Sequence, residues 1–365
     1  MIPETMRAIV TTGDGKFLLK RVPVPAPKPN EILVKVEACA QNHTDCKSII
    51  LDKRAGNIVG SDFAGVIIAV GAAVPVELSR NVGNRVAGAV RGNINPNGAF
   101  SEYIVTDPAL VFPLPDDVPF ELAAQLGVSC YAACQALYQS LNLPTPLDPP
   151  PEQPTDILVW SGSSHTGQYA IQMAKLSGLR VIATCSPKNF DFVKGIGASE
   201  AFDYSDSRTQ KKIVATTGGK LRYAIDCYSS GTSPVQISGS LSKDGGTIVT
   251  MLPYESRKKG VKTQLVLVYS LWGEAIDVPG ISIPANPDHY PNGVKYNQLI
   301  GKLLEEKKLT LGPIKLFSKG LASVEEGFTY MLSGKVRNKL HAFFICCSAG
   351  LINSRRVLSR FMQKK

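Results

Sequence analysis

The chain has 365 residues and eight cysteines, yet no Cys-x-x-Cys pair. That absence removes zinc-ribbon and thiol-redox motifs from consideration. The cysteines stand scattered at positions 39, 46, 130, 134, 185, 227, 346 and 347. Scattered, unpatterned cysteines fit a reducing compartment, so a cytoplasmic location is expected. No apolar run reaches the roughly 20 residues needed to cross a bilayer, and no membrane association is expected. The start, Met1-Ile-Pro-Glu-Thr-Met-Arg7, lacks the pattern of a secretory leader. Acidic residues are missing from Gly327 to Lys365, a stretch holding eight Lys and Arg. The net charge of +10 is therefore concentrated at the end, and the rest is nearly balanced. This distribution argues against a nucleic-acid surface. Arg355, Arg356, Arg360, Lys364 and Lys365 read as a solvated tail, or one that meets an acidic partner. What is present is 44% hydrophobic residues at a mean hydropathy of +0.02. That suits a globular protein with a sizeable core, as one large domain or two ordinary ones.

The first 110 or so residues are rich in Val, Ile, Gly and Pro. Ile32-Leu-Val-Lys-Val-Glu-Ala38 alternates like a half-buried strand. Phe63–Val70 and Gly83–Gly88 suggest further strands, making a small all-β module. A helix is expected over 121–141. Six prolines between Pro144 and Pro154 then form a stiff connection. After it, strands at 157–160, 179–184, 223–227 and 246–250 alternate with helices near 166–177, 188–196, 208–216 and 232–241. That alternation predicts a doubly wound parallel sheet. A further helix is expected over 296–307, followed by strand-like sequence ending near Ile345.

The most informative stretch is Asp156-Ile-Leu-Val-Trp-Ser-Gly-Ser-Ser-His-Thr-Gly-Gln-Tyr-Ala-Ile-Gln-Met-Ala-Lys175. It reads as a buried strand, a Gly/Ser turn and an amphipathic helix, the start of a Rossmann unit. A helix N-terminus there offers free N–H groups and a positive dipole end to a pyrophosphate. Only Gly162 and Gly167 remain of the usual glycines, with Ser163, Ser164, His165 and Thr166 between them. A plain strand–turn–helix remains an alternative on this loop alone. The next strand ends where an NAD site places Asp or Glu against the ribose. Here the sequence is Cys185-Ser-Pro-Lys-Asn189, with no carboxylate. Ser186 and Lys188 suit a 2′-phosphate, which favours NADPH.

A β-module, a nucleotide fold and a return to the first module together resemble the medium-chain dehydrogenase/reductase superfamily. Gly60-Ser-Asp-Phe-Ala-Gly-Val66, Val82-Gly-Asn-Arg-Val-Ala-Gly88, Gly98-Ala-Phe-Ser-Glu-Tyr103 and the turn at Ser161–Gly167 stand in the superfamily's order. The resemblance implies an α/β fold with a GroES-like β-barrel catalytic domain, at 1–125 and 300–365. A Rossmann doubly wound parallel sheet would occupy 126–299. Zinc-dependent members carry Cys-His-Thr/Ser-Asp and Gly-His-Glu, where this chain has Asn42-His43-Thr44-Asp45 and Gly60-Ser61-Asp62. The thiolate and imidazole ligands are replaced and the four-cysteine lobe is absent, so no metal is expected. His43 alone reads as a hydrogen-bonding or packing residue.

Cys185-Ser-Pro-Lys-Asn-Phe-Asp191, Ala201-Phe-Asp-Tyr204 and Leu221-Arg-Tyr-Ala-Ile-Asp-Cys227 are similar to the trans-acting enoyl reductases of fungal polyketide biosynthesis. That resemblance implies NADPH-dependent reduction of an α,β-unsaturated acyl thioester on the acyl carrier protein of a separate megasynthase. The partner would be a polyketide synthase or a polyketide synthase–peptide synthetase, with the reductase a monomer or weak dimer. It puts Thr44, Asp45, Cys46 and Lys47 beside the nicotinamide, and Ser163, Ser164, His165 and Thr166 on the pyrophosphate. Ser186, Pro187, Lys188, Asn189 and Tyr204 would hold the adenosine phosphate. Met251 and Leu252 would flank the nicotinamide, and Lys339 with Leu340 would close the site. The acyl pocket would fall to Leu126, Gly127, Val128, Ser129, Cys130, Tyr131, Ala132 and Ala133, and to Tyr269, Ser270, Leu271, Trp272 and Gly273. Lys47 is the catalytic candidate, as oxyanion partner, ribose anchor or proton source; the alternative is a solvated lysine beside Asp45. Two other readings stay open. One is a stand-alone zinc-free quinone or alkenal reductase. The other is a non-catalytic partner protein that keeps the fold.

Overall fold

A computed structural model describes residues 1–51, 54–93, 96–278, 281–333 and 342–346. The chain forms two compact units, Met1–Val128 with Tyr269–Lys365, and Ser129–Val268. The chain thus returns to the first unit at Tyr269, well before the expected position 300. The physical reason is packing: the segment after Val268 hydrogen-bonds to Ser61 and Arg91, and the helix Tyr290–Glu305 lies on the strand Val111–Pro113.

In the first unit, one sheet runs in the order 314–317, 342–346, 32–40, 62–70, 85–89 and 111–113, with Tyr103–Thr106 also pairing with Ile32–Ala40. A second sheet places Thr5–Thr12 between Phe17–Pro23 and Ala55–Ile58. Glu102 links the two, donating its N–H to the Arg7 carbonyl (3.1 Å) and accepting from the Val36 N–H (3.0 Å). Alternation along Ile32–Ala40 and Asp62–Val70 turns Val34, Val36, Phe63 and Ile67 into the core. Phe328 closes that core against the rings of Phe17 and Phe100, with centroids 5.8 and 6.1 Å away. The module is not all β. Asn42 precedes a nine-residue helix, His43–Leu51, whose third residue, Asp45, accepts from the Asn42 backbone N–H at 2.7 Å. That bond satisfies the Asn42 N–H at the helix start, and Cys46 and Ile49, three residues apart, bury one face of the helix.

The second unit holds six parallel strands ordered 200–203, 180–185, 156–160, 223–226, 246–250 and 261–265. This is the doubly wound order, with a switch point beside the strand Asp156–Trp160. That strand is buried on both faces, as its unalternating apolar run requires. The helix His165–Leu176 buries Tyr169, Ile171, Met173 and Ala174, while Leu176 is only half-buried. The expected helix over 121–141 breaks into helices Phe120–Ala123 and Gly127–Cys134 and a π turn, Gln135–Ser140. At the break, the Val128 N–H donates to Asp62 Oδ1 at 2.7 Å. A side chain on Gly127 would collide with that carboxylate. Lys339, Leu340 and the basic tail lie outside the described residues.

Candidate active site

In the second unit the dinucleotide turn is built from backbone. Ser161 takes a left-handed φ of 62°. Its N–H donates to Thr184 Oγ1 at 3.1 Å, and the Gly162 N–H donates to the Thr184 carbonyl at 2.8 Å. Both bonds tie the turn to the neighbouring strand. Ser164 caps the helix, accepting from the Gly167 N–H at 3.2 Å and donating to the Ser161 carbonyl at 2.7 Å. The helix comes so close to the turn that a Cβ on Gly167 would run into the Ser161 carbonyl oxygen. Ser163, Ser164, His165 and Thr166 are all half-buried around this N-terminus. Gln168, in the first turns of the helix, is buried with both amide atoms unpartnered among the described residues.

At the end of the next strand, Cys185 points inward and Ser186 is half-buried. Pro187 and Lys188 are exposed, Asn189 is half-buried, and Lys188 forms no ion pair among the described residues. Tyr204 is 46% exposed. The preceding residue, Asp203, accepts from the Ser205 N–H and hydroxyl at 2.9 and 2.7 Å.

A second anchor in this unit escaped the sequence reading. Asp226, fully buried, accepts from Tyr228 N–H (3.1 Å), Ser229 N–H (2.8 Å), Ser233 Oγ (2.7 Å) and the Tyr254 hydroxyl (3.0 Å). Ser229 Oγ in turn accepts from the Met251 N–H at 2.8 Å. Met251 is half-buried and Leu252 exposed. The Ser-rich sequence after Asp226 carries a local turn signal, but its partner across the strand ends does not show in the sequence.

The first unit holds a different arrangement, a buried pair of carboxylates where zinc-dependent relatives place ligands. Asp45 accepts from the Ser61 hydroxyl at 2.9 Å, besides its bond from the Asn42 backbone. Asp62 accepts from Asn42 Nδ2 at 2.9 Å and from Val128 N–H. Ser61 shares a 2.7 Å hydrogen bond with the Tyr269 hydroxyl. Asp45, Ser61 and Asp62 are no more than 2% exposed. Burial pushes the Asp45 carboxyl up to about 7, against the stabilising hydrogen bonds from Asn42 and Ser61. Burial pushes Asp62 up to about 8, with the nearby Asp45 charge adding to it. Burial, aided by the same Asp45 charge, also raises the Tyr269 phenol above its usual range.

Among the expected nicotinamide-side residues, Thr44 and Lys47 are half-buried, whereas Cys46 is 2% exposed and packed in the core. The Cys46 side chain is therefore occupied by packing rather than directed outward, and burial raises its thiol to about 11. His43 is exposed. No group of three His, Cys, Asp or Glu is placed to hold a metal among the described residues. Asn42 and Ser61 each donate to a carboxylate instead.

Of the expected acyl-pocket residues, Leu126, Gly127 and Val128 belong to the first unit and Ser129, Cys130, Tyr131, Ala132 and Ala133 to the second. Ser129 to Ala133 are buried. Tyr269, Ser270, Leu271, Trp272 and Gly273 form a tight turn in the first unit. The Tyr269 and Trp272 rings tilt together at 6.2 Å. The turn is held at one end by Ser61 and beyond the other by buried Arg91, which pairs with Glu274 and donates to the Ala275 carbonyl at 2.9 Å. Neither Ser61 nor Arg91 stands out in the sequence as a partner of this turn, because each lies far from it along the chain.

A Rossmann sheet with this turn, joined to a β-barrel unit whose zinc ligands are replaced, defines a nicotinamide-dependent oxidoreductase of the medium-chain dehydrogenase/reductase class. Residues 28–116 match the alcohol dehydrogenase GroES-like domain, and 166–281 match the zinc-binding dehydrogenase family. The chain is similar to the trans-enoyl reductase traG of Penicillium crustosum, 35% identical over 90% of this chain and 93% of the relative. It is similar also to the trans-enoyl reductase caaB of Aspergillus niger, 37% identical over 90% and 93%. The fold matches the CurK enoyl reductase structure at a TM-score of 0.73 and 18% identity, covering 94% of this chain and 99% of that one. An alcohol dehydrogenase superfamily protein from Novosphingobium aromaticivorans matches at 0.76 and 20%, covering 94% and 100%. The chain belongs to the trans-enoyl reductase family, and is an oxidoreductase acting on carbon–carbon double bonds.

The described residues fit a nicotinamide dinucleotide. The Ser164-capped helix N-terminus and the glycine-tight turn form a cradle for a pyrophosphate.

Proposed function

We propose that this protein is an NADPH-dependent trans-acting enoyl reductase. It reduces the α,β-unsaturated thioester of a growing polyketide chain carried by a separate polyketide synthase or synthase–peptide synthetase. The observation that carries the reading is the likeness to trans-enoyl reductases along nine-tenths of the chain. The preference for NADPH rests on Ser186 and Lys188, which stand where an NAD site needs a carboxylate.

NADPH, when bound, supplies the hydride that adds to the β-carbon of the thioester. The chain's own residues bind and orient. Ser163, Ser164, His165 and Thr166 hold the pyrophosphate, and Ser186, Asn189, Lys188 and Tyr204 hold the 2′-phosphate. In the first unit, Thr44 and Lys47 serve the nicotinamide and the turn at Tyr269–Gly273 receives the acyl chain; in the second, Met251 and Leu252 serve the cofactor. Lys47 supplies positive charge to the enolate oxygen as negative charge develops there. Remote binding energy from the carrier and chain orients the alkene.

The test compares a pantetheine-linked or carrier-bound enoyl chain with a free small enone, both with NADPH. The linked chain should react far faster, and Lys47→Ala should lower its turnover by about 10²-fold or more. Equal rates with a free enone or quinone would instead mark a stand-alone reductase.

A further inference from the structure

We propose that Tyr269 is the proton donor to the α-carbon, and that Ser61 and Asp45 form a buried relay that supplies it. The inference deepens the enoyl-reductase reading and rests on it. Its starting observation is a continuous chain of three side chains in the first unit. The Tyr269 hydroxyl lies 2.7 Å from Ser61 Oγ, which lies 2.9 Å from Asp45 Oδ1. Ser61 and Asp45 are sealed from solvent, whereas Tyr269 is partly exposed. Only the tyrosine end of the chain therefore faces a reacting molecule. A buried serine between a carboxyl group and a phenol can accept from one and donate to the other. The chain thus has two directions. With Asp45 ionised, the hydroxyls point inward toward it. With Asp45 protonated, they point outward, and the phenol proton is free to leave.

The step balances as follows. Hydride addition at the β-carbon leaves an enolate. A carbon–hydrogen bond forms at the α-carbon as the Tyr269 O–H bond breaks. The tyrosine oxygen takes the Ser61 hydroxyl proton, and the serine oxygen takes the proton of the Asp45 carboxyl. One proton has then moved from Asp45 to the product, and Asp45 is left as a carboxylate. After the product leaves, solvent returns a proton through Tyr269 along the same path. The cluster suits the task because Asp45 is held by burial at about 7, so both of its forms are populated near neutrality. The groups that face it are Asn42 and Cys46 of its own segment, Ser61 and Asp62 from the adjoining strand, and Tyr269, with Lys47 nearby. Tyr269 touches the substrate and is catalytic in this scheme; Ser61 and Asp45 are positioning and relay residues.

The experiment uses the full chain with NADPH and a pantetheine-linked enoyl thioester. Turnover is followed in water and in deuterium oxide, and NADPH affinity by fluorescence. Tyr269→Phe should lower kcat by about 10²-fold or more while leaving NADPH affinity unchanged. Ser61→Ala keeps the phenol but cuts the relay, so it should lower kcat and change the solvent isotope effect. The second variant decides the matter if the first does not fold. In the unmodified enzyme, kcat should fall as pH rises through the Asp45 titration, and Asp45→Asn should abolish that limb. Unchanged kcat, solvent isotope effect and pH profile in Tyr269→Phe or Ser61→Ala would overturn the relay while leaving the reductase reading intact. An unmodified enzyme inert toward every linked enoyl chain would overturn the reductase reading itself.

Discussion

The dinucleotide turn and the buried carboxylate cluster solve opposite problems. Between Ser161 and Gly167 the working groups are backbone N–H donors at a helix start, and side chains serve mainly to hold the turn. Between Asn42 and Tyr269 the working groups are side chains, drawn from segments nearly 230 residues apart, with Asp45, Ser61 and Asp62 buried among them. The first site tolerates the loss of glycines and the gain of serines because its chemistry is carried by peptide groups. The second site depends on the identity of each side chain, since removing one leaves a buried partner unsatisfied.

The sharpest test of that contrast is Gly167→Val. A branched side chain at the close approach to Ser161 should lower NADPH affinity by at least about 100-fold, or ~3 kcal/mol, in a fluorescence titration. An affinity that survives would show that the backbone cradle is not what holds the cofactor. Next in size is Lys188→Ala, which should weaken NADPH by about 1.5–3 kcal/mol and leave NADH almost untouched. Equal weakening of the two cofactors would remove Lys188 from the phosphate site.

The carboxylate cluster predicts a pH effect of defined sign. Asp45 and Asp62 have folded-state values near 7 and 8, raised from an ordinary 3.8. Between about pH 4 and those values the folded chain holds protons that the unfolded chain has released. Unfolding stability should therefore fall as pH rises through that window and level off above it. Urea titrations at pH 5 and pH 8 would measure the fall, and Asp45→Asn and Asp62→Asn should each flatten it. Ser229→Ala should have the smallest effect. It strips the Met251 N–H of its acceptor and should cost about 1–2 kcal/mol in the same assay.

The sequence revealed the two sites unequally, for the same reason. The strand at 156–160, the turn and the helix form one continuous segment, so hydrophobic pattern and turn chemistry located them within a residue or so. Six parallel strands were only partly legible. Val261–Leu265 is a mostly exposed edge strand that reads Val-Lys-Thr-Gln-Leu, without the apolar run of its buried neighbours. The helix at His43–Leu51 was missed because its signal is a single bond from the Asn42 N–H to the Asp45 carboxylate, not a long amphipathic stripe. Motif comparison drew attention to Asn42, Asp45, Ser61 and Asp62. It did not reveal that the four hydrogen-bond to one another, nor that Tyr269 joins them. The return to the first unit at Tyr269 was missed for a related reason: that segment's partners, Ser61 and Arg91, lie far away in the chain.

The two fastenings of the turn at Tyr269–Gly273 set a rule for redesigning this enzyme. The turn works as a bracket on fixed mounts, with Ser61 at one end and Arg91 gripping Glu274 and Ala275 beyond the other. A bracket of this kind accepts new fittings but not a new length. Side chains between the mounts can be exchanged one at a time to reshape the space around a substrate. A graft that lengthens the span must release a mount, freeing either the phenol or a guanidinium that is 7% exposed. Substrate range should therefore diversify here by point substitution, while insertions and deletions are confined to other loops.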